Sequence, residues 1–186
     1  MVGVGVGSAT RGASPLLEHL VNLLLGVWTL LQRMVGRTAE SLLEQDLRAL
    51  QLGQLGGGVD PSPIMRSQAA HRCRQWQSAG RVDIYAGTAD QLPLPDASCD
   101  TVVATSTVVM WPDLAAGLGE IRRVLRPDGR LVLSWHSPTA PSSTQRRLAL
   151  SEISIRTLSD ALSASFGDVE RHDLTHSIAW QAHRHE

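Results

Sequence analysis

The chain has 186 residues, with 17 basic and 18 acidic residues and a formal net charge of −1. This length suits one domain with a sizeable core, and the balanced charge predicts no nucleic-acid partner. Cys73 and Cys99 are too few for a disulfide framework or a zinc site. These counts favour a reducing, cytoplasmic location and no bound metal.

The N-terminal third combines a glycine-rich start with two predicted helices, at about 15–34 and 38–50. Residues 15–31 are apolar, but Glu18, His19 and Asn22 interrupt them, and the run is short for a membrane span. We expect an amphipathic helix there, with weak contact to a membrane surface or a partner as the alternative. Residues 1–53 are interpreted as an extension, and residues 54–186 as an α/β domain.

From Gly57 onward, predicted strands alternate with predicted helices. Ser62 before Pro63 predicts a helix start, and Asp113 predicts another. The expected strands are 57–60, 82–85, 99–105 and 131–135, followed by an antiparallel pair at 169–174 and 177–182. The helix that begins at Asp113 has an apolar face that extends to Leu125, residues 127–129 form a turn, residues 136–145 form a polar loop, and a later helix includes residues 158–162. This order predicts an α/β fold with a mostly parallel sheet.

Two of the predicted strand ends carry chemistry that suits a nucleoside. Asp60 ends the strand at 57–60, where a carboxylate can accept hydrogen bonds from both ribose hydroxyls. Aspartate before proline is also an ordinary turn. The segment Gly87-Thr-Ala-Asp90 follows the next strand, and a glycine there allows the backbone to approach a ligand closely.

Four segments, taken in order, resemble the class I S-adenosylmethionine-dependent methyltransferases that act on small molecules. They are Gly58-Val-Asp-Pro-Ser62, Gly87-Thr-Ala-Asp-Gln-Leu-Pro-Leu-Pro-Asp96, Cys99-Asp-Thr-Val102 and Leu125-Arg-Pro-Asp-Gly-Arg-Leu-Val132. The resemblance covers about two-thirds of the chain, from Gly58 to about Trp180. It implies a Rossmann-like fold and S-adenosylmethionine as cofactor.

The resemblance also implies a set of site residues. Asp60 would hold the ribose, and Thr88 and Ala89 would approach the adenine, with Thr105 also on the cofactor side. Ser106 and Trp111 would border the acceptor, although Trp111 is also interpreted as a packed aromatic residue. His136 is the candidate catalytic base, since its titration range suits proton transfer.

The sequence departs from this family in two places that affect the cofactor. Thr88 stands where the family usually has an acid. No Gly-x-Gly loop lies about 20 residues before Asp60, where such folds place it. Either the first strand and its loop are deleted near Gly53, or Met1-Val-Gly-Val-Gly-Val-Gly7 supplies them. The predicted function is methyl transfer to a small molecule, and the alternative is an inactive, truncated methyltransferase-like protein that acts as an interaction module.

Overall fold

A computed structural model of the protein describes residues 2–6, 55–80, 82–141 and 143–185. The predicted helices at 15–34 and 38–50 lie outside these residues, and so does the surface contact suggested for residues 15–31. Within the described ranges, no helix is long and apolar enough to cross a membrane. The division of the chain after residue 53 stays a prediction.

Seven strands and four helices make up the described part of the chain. The strands are β1 (Val2–Val6), β2 (Leu55–Val59), β3 (Val82–Tyr85), β4 (Cys99–Thr105), β5 (Leu125–His136), β6 (Val169–Asp173) and β7 (Ser177–His183). The helices are α1 (Pro63–Ser78), α2 (Leu114–Val124), α3 (Ser143–Leu148) and α4 (Glu152–Phe166), with a short 3₁₀ helix at Val108–Met110.

The strands form one sheet in the order β3-β2-β1-β4-β5-β7-β6. Strand β2 pairs in parallel with β3, and β4 pairs in parallel with β5. Strand β7 is antiparallel to both β5 and β6. The prediction of a mostly parallel α/β sheet with a closing antiparallel pair is therefore confirmed.

Strand β1 fills the central position of the sheet, but it runs against its neighbours. Val2 pairs with Val59 of β2 and with Ala104 of β4, whereas Val6 pairs with Leu55. The N-terminal segment thus supplies a strand, as in the alternative that assigned the first strand to residues 1–7. Its reversed direction brings its last residue to the edge of the sheet opposite Asp60, so no glycine loop directly after β1 begins at the Asp60 edge.

Local capping signals explain where the helices begin. The Ser62 hydroxyl accepts a hydrogen bond from the Met65 amide at 3.3 Å, with Pro63 in the first turn. The Asp113 carboxylate accepts one from the Ala116 amide at 3.0 Å. Both side chains satisfy amides that the first helical turn leaves unpaired, so both predicted starts are confirmed.

Three local predictions need correction or refinement. Leu125 is the first residue of β5 rather than part of the preceding helix, because the helix ends at Val124. The predicted turn at 127–129 is a bulge inside β5, where the register with β4 shifts and Asp128 has a φ of 62°. The predicted polar loop is too long, since α3 begins at Ser143.

The core lies on one face of the sheet, under α2 and α4. Trp180 of β7 is buried there and donates its indole hydrogen to the Ser159 hydroxyl of α4 at 2.9 Å. Because side chains alternate along strands, the neighbouring residues in each strand face the other side. The buried core residues from β4, β5, β7, α2 and α4 include Val102, Ala104, Leu131, Leu133, Trp135, Ile178, Leu118, Ile121, Ile155 and Leu162.

Helix α2 offers a matched test of this packing. A Cβ atom at Gly117 would lie 2.8 Å from the Trp111 ring, whereas one at Gly119 would meet nothing within 4 Å. We expect Gly119→Ala to raise the free energy of unfolding by about 0.5–1 kcal/mol, since alanine favours a helix over glycine. Gly117→Ala gains the same propensity but must displace the ring, so it is expected to be less stable than Gly119→Ala by at least about 1 kcal/mol.

Urea unfolding of the two variants measures this difference. Tryptophan fluorescence of the folded proteins should change for Gly117→Ala alone, because only that substitution moves an indole. Equal stabilisation by both substitutions would show that Trp111 does not pack against Gly117.

Candidate functional site

The residues predicted for the site gather at one edge of the sheet. Strands β2, β3, β4 and β5 point the same way, so their carboxyl ends meet at that edge. In open α/β sheets this is the edge where ligands bind. All seven candidates follow or end these strands: Asp60, Thr88, Ala89, Thr105, Ser106, Trp111 and His136.

Asp60 directly follows β2 and is only 6% exposed. Its Oδ1 accepts a hydrogen bond from the Ser62 amide at 2.8 Å, and its own amide donates to the Tyr85 carbonyl at 3.2 Å. The Arg66 guanidinium donates to the Asp60 carbonyl at 2.8 Å. The residue thus serves the turn into α1, and these bonds also fix the carboxylate at the carboxyl edge.

The loop after β3 packs closely against the end of β2. A Cβ atom at Gly87 would lie 3.0 Å from Val59 and 2.8 Å from Pro93, so this position requires glycine. Ala89 is buried in the core, and only its backbone can therefore meet a ligand. Asp90 adds an acid that sequence reasoning missed: its Oδ1 is buried and has no hydrogen-bond partner among the described residues.

A row of polar side chains crosses the other end of the site. Thr105 and Ser134 are partners across β4 and β5, and the Ser134 hydroxyl donates to Thr105 Oγ1 at 3.0 Å. His136 lies two residues beyond Ser134 and therefore on the same face of β5. His136 pairs with Ser177 on the neighbouring strand β7, which brings a fourth polar residue to this face. We call Thr105, Ser134, His136 and Ser177 the polar row.

Most of the polar row is buried. His136 is 3% exposed and Ser177 is 5% exposed, and Ser177 Oγ has no hydrogen-bond partner within the described ranges. Burial lowers the pKa of His136, because a low-dielectric environment disfavours the charged imidazolium. The ring is therefore neutral near pH 7 and has a nitrogen available to accept a proton.

Ser134 and Ser177 were not among the predicted site residues. The alternation of apolar and polar residues in Leu131-Val-Leu-Ser-Trp-His136 already assigns Ser134 and His136 to one face. Ser177 joins them only through the register between β5 and β7, which no local pattern gives.

Ser106 and Trp111 lie in the segment that follows β4. Ser106 has a φ of 50°, and its amide donates to the Ser134 carbonyl at 2.9 Å, which holds this segment against β5. The Trp111 indole donates to the Thr107 hydroxyl at 3.3 Å, and its ring packs against Gly117. These contacts support the packed interpretation of Trp111, while Ser106 lies beside the polar row.

Arg123 ties the loop after β3 to helix α2. Its guanidinium donates to the carbonyls of Leu92 and Leu94 at 3.0 and 2.8 Å, and to carboxylate oxygens of Glu120 and Asp96 at 2.7 and 2.6 Å. Glu120 in turn accepts from the Leu92 amide at 2.9 Å. Hydrogen bonds from Arg123 lower the pKa of Glu120. The network restrains the segment that leads away from Asp90.

Comparisons with known proteins identify the family. The profile of a methyltransferase domain family matches residues 37–133, more than half of the chain. The chain belongs to this methyltransferase family. S-adenosylmethionine is the cofactor that the family implies, and the remaining question is how well these residues suit it.

The relatives match only parts of their own length. Nocamycin O-methyltransferase of Saccharothrix syringae is 32% identical over 107 residues, which are 57% of this chain and 36% of that protein. The 2-phytyl-1,4-naphtoquinone methyltransferase of Synechococcus elongatus is 35% identical over 85 residues, 45% of this chain and 36% of that protein. The chain therefore spans well under two-thirds of either relative.

A solved structure has the same fold. A putative S-adenosyl-L-methionine-dependent methyltransferase from Methanococcus maripaludis aligns with a TM-score of 0.61 at 12% identity, covering 96% of this chain and 98% of that one. At this identity the likeness shows the fold alone. The Rossmann-like methyltransferase fold expected from the sequence is confirmed.

The methyltransferase domain fits the nucleoside half of the cofactor. Asp60 would supply a fixed carboxylate for ribose hydroxyls. Asp90 Oδ1, which has no hydrogen-bond partner among the described residues, would accept from a nucleobase amino group. For the methionine half of the cofactor, no glycine loop directly after β1 begins at this edge, because β1 ends at the opposite edge of the sheet. Among the described residues, no group of three or more His, Cys, Asp or Glu side chains is arranged to hold a metal ion.

The Arg123 network predicts that the loop after β3 depends on this side chain. Arg123→Gln removes charge-assisted hydrogen bonds to two carboxylates and two carbonyls, and we expect a loss of about 1–3 kcal/mol in the free energy of unfolding. Amide hydrogen exchange at residues 88–96 should become faster. Arg171→Gln is the matched control, since Arg171 pairs with Asp173 on strand β6, both side chains are exposed, and such pairs contribute little.

The buried His136 ring predicts a pH dependence of stability. Its pKa is lowered in the folded state, so the unfolded chain binds the proton more readily, and stability is lost as the pH falls below about 6.5. His136→Gln lacks this titration. The difference in unfolding free energy between the native protein and the variant should therefore shrink between about pH 7 and pH 5. A constant difference would show that folding does not lower the pKa of His136.

Proposed function

We propose that this protein transfers a methyl group from S-adenosylmethionine to a small-molecule acceptor. The observation that carries the proposal is the arrangement of Asp60 and the polar row at one edge of the sheet, on either side of β1. Both relatives described above are named as methyltransferases of small molecules, which supports the same acceptor class.

Each group at this edge has a separate task in the proposed reaction. When bound, the cofactor supplies a methyl group made electrophilic by its sulfonium sulfur. Asp60 would bind the ribose hydroxyls, and the loop from Gly87 to Asp90 would bind the nucleobase. Since this chemistry needs little beyond alignment, the described residues mainly position the two reactants.

On the acceptor side, the neutral His136 ring would take a proton. An acceptor hydroxyl or amine must lose its proton as the new bond to carbon forms, and a neutral imidazole nitrogen accepts it. Ser134 and Thr105, which are bonded to each other, would keep this end of the site rigid. Ser106 would border the acceptor on the β4 side.

Calorimetric titration with S-adenosylhomocysteine tests the cofactor half of this proposal. Asp60→Asn keeps an oxygen for the Ser62 amide but loses the charge, so the turn into α1 is preserved. We expect Kd to rise about 10- to 100-fold, which is the effect of losing charge-assisted hydrogen bonds. Asp83→Asn is the control, since that exposed acid on β3 bonds to the Tyr85 hydroxyl.

The outcomes separate the two functions considered for the chain. Saturable binding that is weakened by Asp60→Asn alone supports the enzyme. A folded protein that does not bind S-adenosylhomocysteine would lack a working cofactor site, and the inactive interaction module would then describe it. Equal affinities of Asp60→Asn and the native protein would remove Asp60 from the site.

A further inference from the structure

Exposed apolar side chains among the described residues share one edge of the molecule. Five large ones have exposed fractions between 48% and 77%. All five follow strands that end at the carboxyl edge of the sheet, namely β2, β4 or β5. Single exposed apolar side chains are normal on a protein surface, but their concentration at one edge indicates a contact surface. They are Ile64, Val109, Met110, Leu148 and Ile153.

Two of these side chains lie where α3 is followed by α4. Leu148 ends α3, and its carbonyl accepts a hydrogen bond from the Trp135 indole at 2.6 Å, near the end of β5. Ile153 is the second residue of α4, which begins at the carboxyl edge because β6 after it runs parallel to β5. Between them, Leu150 packs against the core. Leu148 and Ile153 therefore flank an anchored residue while they remain 48% and 77% exposed.

The same stretch of chain is basic. Residues 143–156 contain three arginines and a single acid, Glu152, whereas the whole chain has a net charge of −1. All three arginines are exposed. Arg146 donates to two backbone carbonyls, which leave its positive charge uncompensated. We call the exposed apolar and basic side chains of this stretch the α3–α4 corner: Arg146, Arg147, Leu148, Ile153 and Arg156.

A lipid bilayer suits this surface better than a folded protein does. The five exposed apolar side chains come from separate segments and none of the five is aromatic, whereas protein interfaces have apolar centres rich in aromatic residues. A fluid bilayer takes up separate apolar side chains at the boundary between headgroups and acyl chains. Arginine side chains lay their stems along apolar surface and keep the charge in the polar layer, where anionic headgroups attract them.

We propose that the α3–α4 corner docks on the surface of an anionic lipid bilayer. Leu148 and Ile153 enter the boundary between headgroups and acyl chains, and the arginines contact the headgroup phosphates. This orientation turns the carboxyl edge of the sheet toward the bilayer. The inference does not depend on methyl transfer, because no residue of the corner belongs to the polar row or to the loop from Gly87 to Asp90.

Co-sedimentation with lipid vesicles tests the apolar part of the contact. The full chain is mixed with vesicles of phosphatidylcholine, with and without phosphatidylglycerol, and we expect it to sediment with the anionic vesicles. Leu148→Ser and Ile153→Ser should each lower the partition coefficient about 5- to 30-fold, as expected when a partly to fully buried apolar side chain is lost. Leu148→Met and Ile153→Val are the matched controls, since both keep an apolar side chain and should retain binding.

Arginine variants test the basic part of the contact. Arg147→Gln and Arg156→Gln should each weaken binding to the anionic vesicles about five-fold, and added salt should remove the same contribution. Arg74→Gln is the control for the change in charge. Arg74 is also exposed, but it lies about 16 Å along α1 from the start of that helix at the carboxyl edge.

Several outcomes would overturn the inference. The native protein must sediment with the anionic vesicles, and binding that survives Leu148→Ser combined with Ile153→Ser would place the contact on another surface. Equal binding of Arg147→Gln, Arg156→Gln and Arg74→Gln would rule out an anionic bilayer. Dimerisation that Ile153→Ser abolishes, in a protein that binds no vesicles, would make the corner an interface between two copies of the chain.

Titration of the same variants with S-adenosylhomocysteine separates this inference from the proposed function. Each corner variant should bind S-adenosylhomocysteine as the native protein does, and far-UV circular dichroism should be unchanged. A protein that binds anionic vesicles but not S-adenosylhomocysteine keeps the docking surface and loses the enzyme. The reverse result overturns the docking surface and leaves the methyltransferase.

Discussion

Backbone pairing in the middle of the sheet is the constraint on which the rest of this structure depends. Strands β2 and β4 are both buried, and an unpaired edge between them would leave amides and carbonyls without partners. Strand β1 meets this need from both sides, since it pairs with β2 and with β4. Direction matters less than pairing for this purpose, because an antiparallel ladder satisfies the same groups as a parallel one.

The reversed strand divides the binding edge into two unequal halves. On the nucleoside side, Asp60 and the loop from Gly87 to Asp90 depend on β2 and β3, which are parallel and locally complete. On the acceptor side, the polar row depends on β4, β5 and β7. The centre depends on β1, which starts at this edge with Val2 and ends at the opposite edge. The cofactor contacts proposed for the described residues therefore come from the flanking strands.

Local features of this fold could be predicted wherever one residue controls one hydrogen bond. Ser62 and Asp113 each cap a helix, and the Leu-Ser-Trp-His alternation of β5 assigns faces without tertiary information. Strand direction at Val2–Val6 could not be predicted, because a five-residue strand carries no signal for the orientation of its neighbours. Helix α3 was missed because Ser143-Thr-Gln-Arg-Arg147 has a polar composition typical of a loop, and packing against β5 overrides that preference. Ser177 became a site candidate only when the register between β5 and β7 placed it beside His136.

Helix α2 connects the segment after β3 with the segment after β4 and limits how far these two can move apart. Near its start, Gly117 supports Trp111, which is bonded to Thr107 in the segment after β4. Near its end, Glu120 and Arg123 hold the segment after β3. One helix, which rises about 1.5 Å per residue, therefore fixes the spacing between these two segments. Any closing motion over the proposed reactants must come from other segments, because the spacing between the segments after β3 and β4 is set when the protein folds.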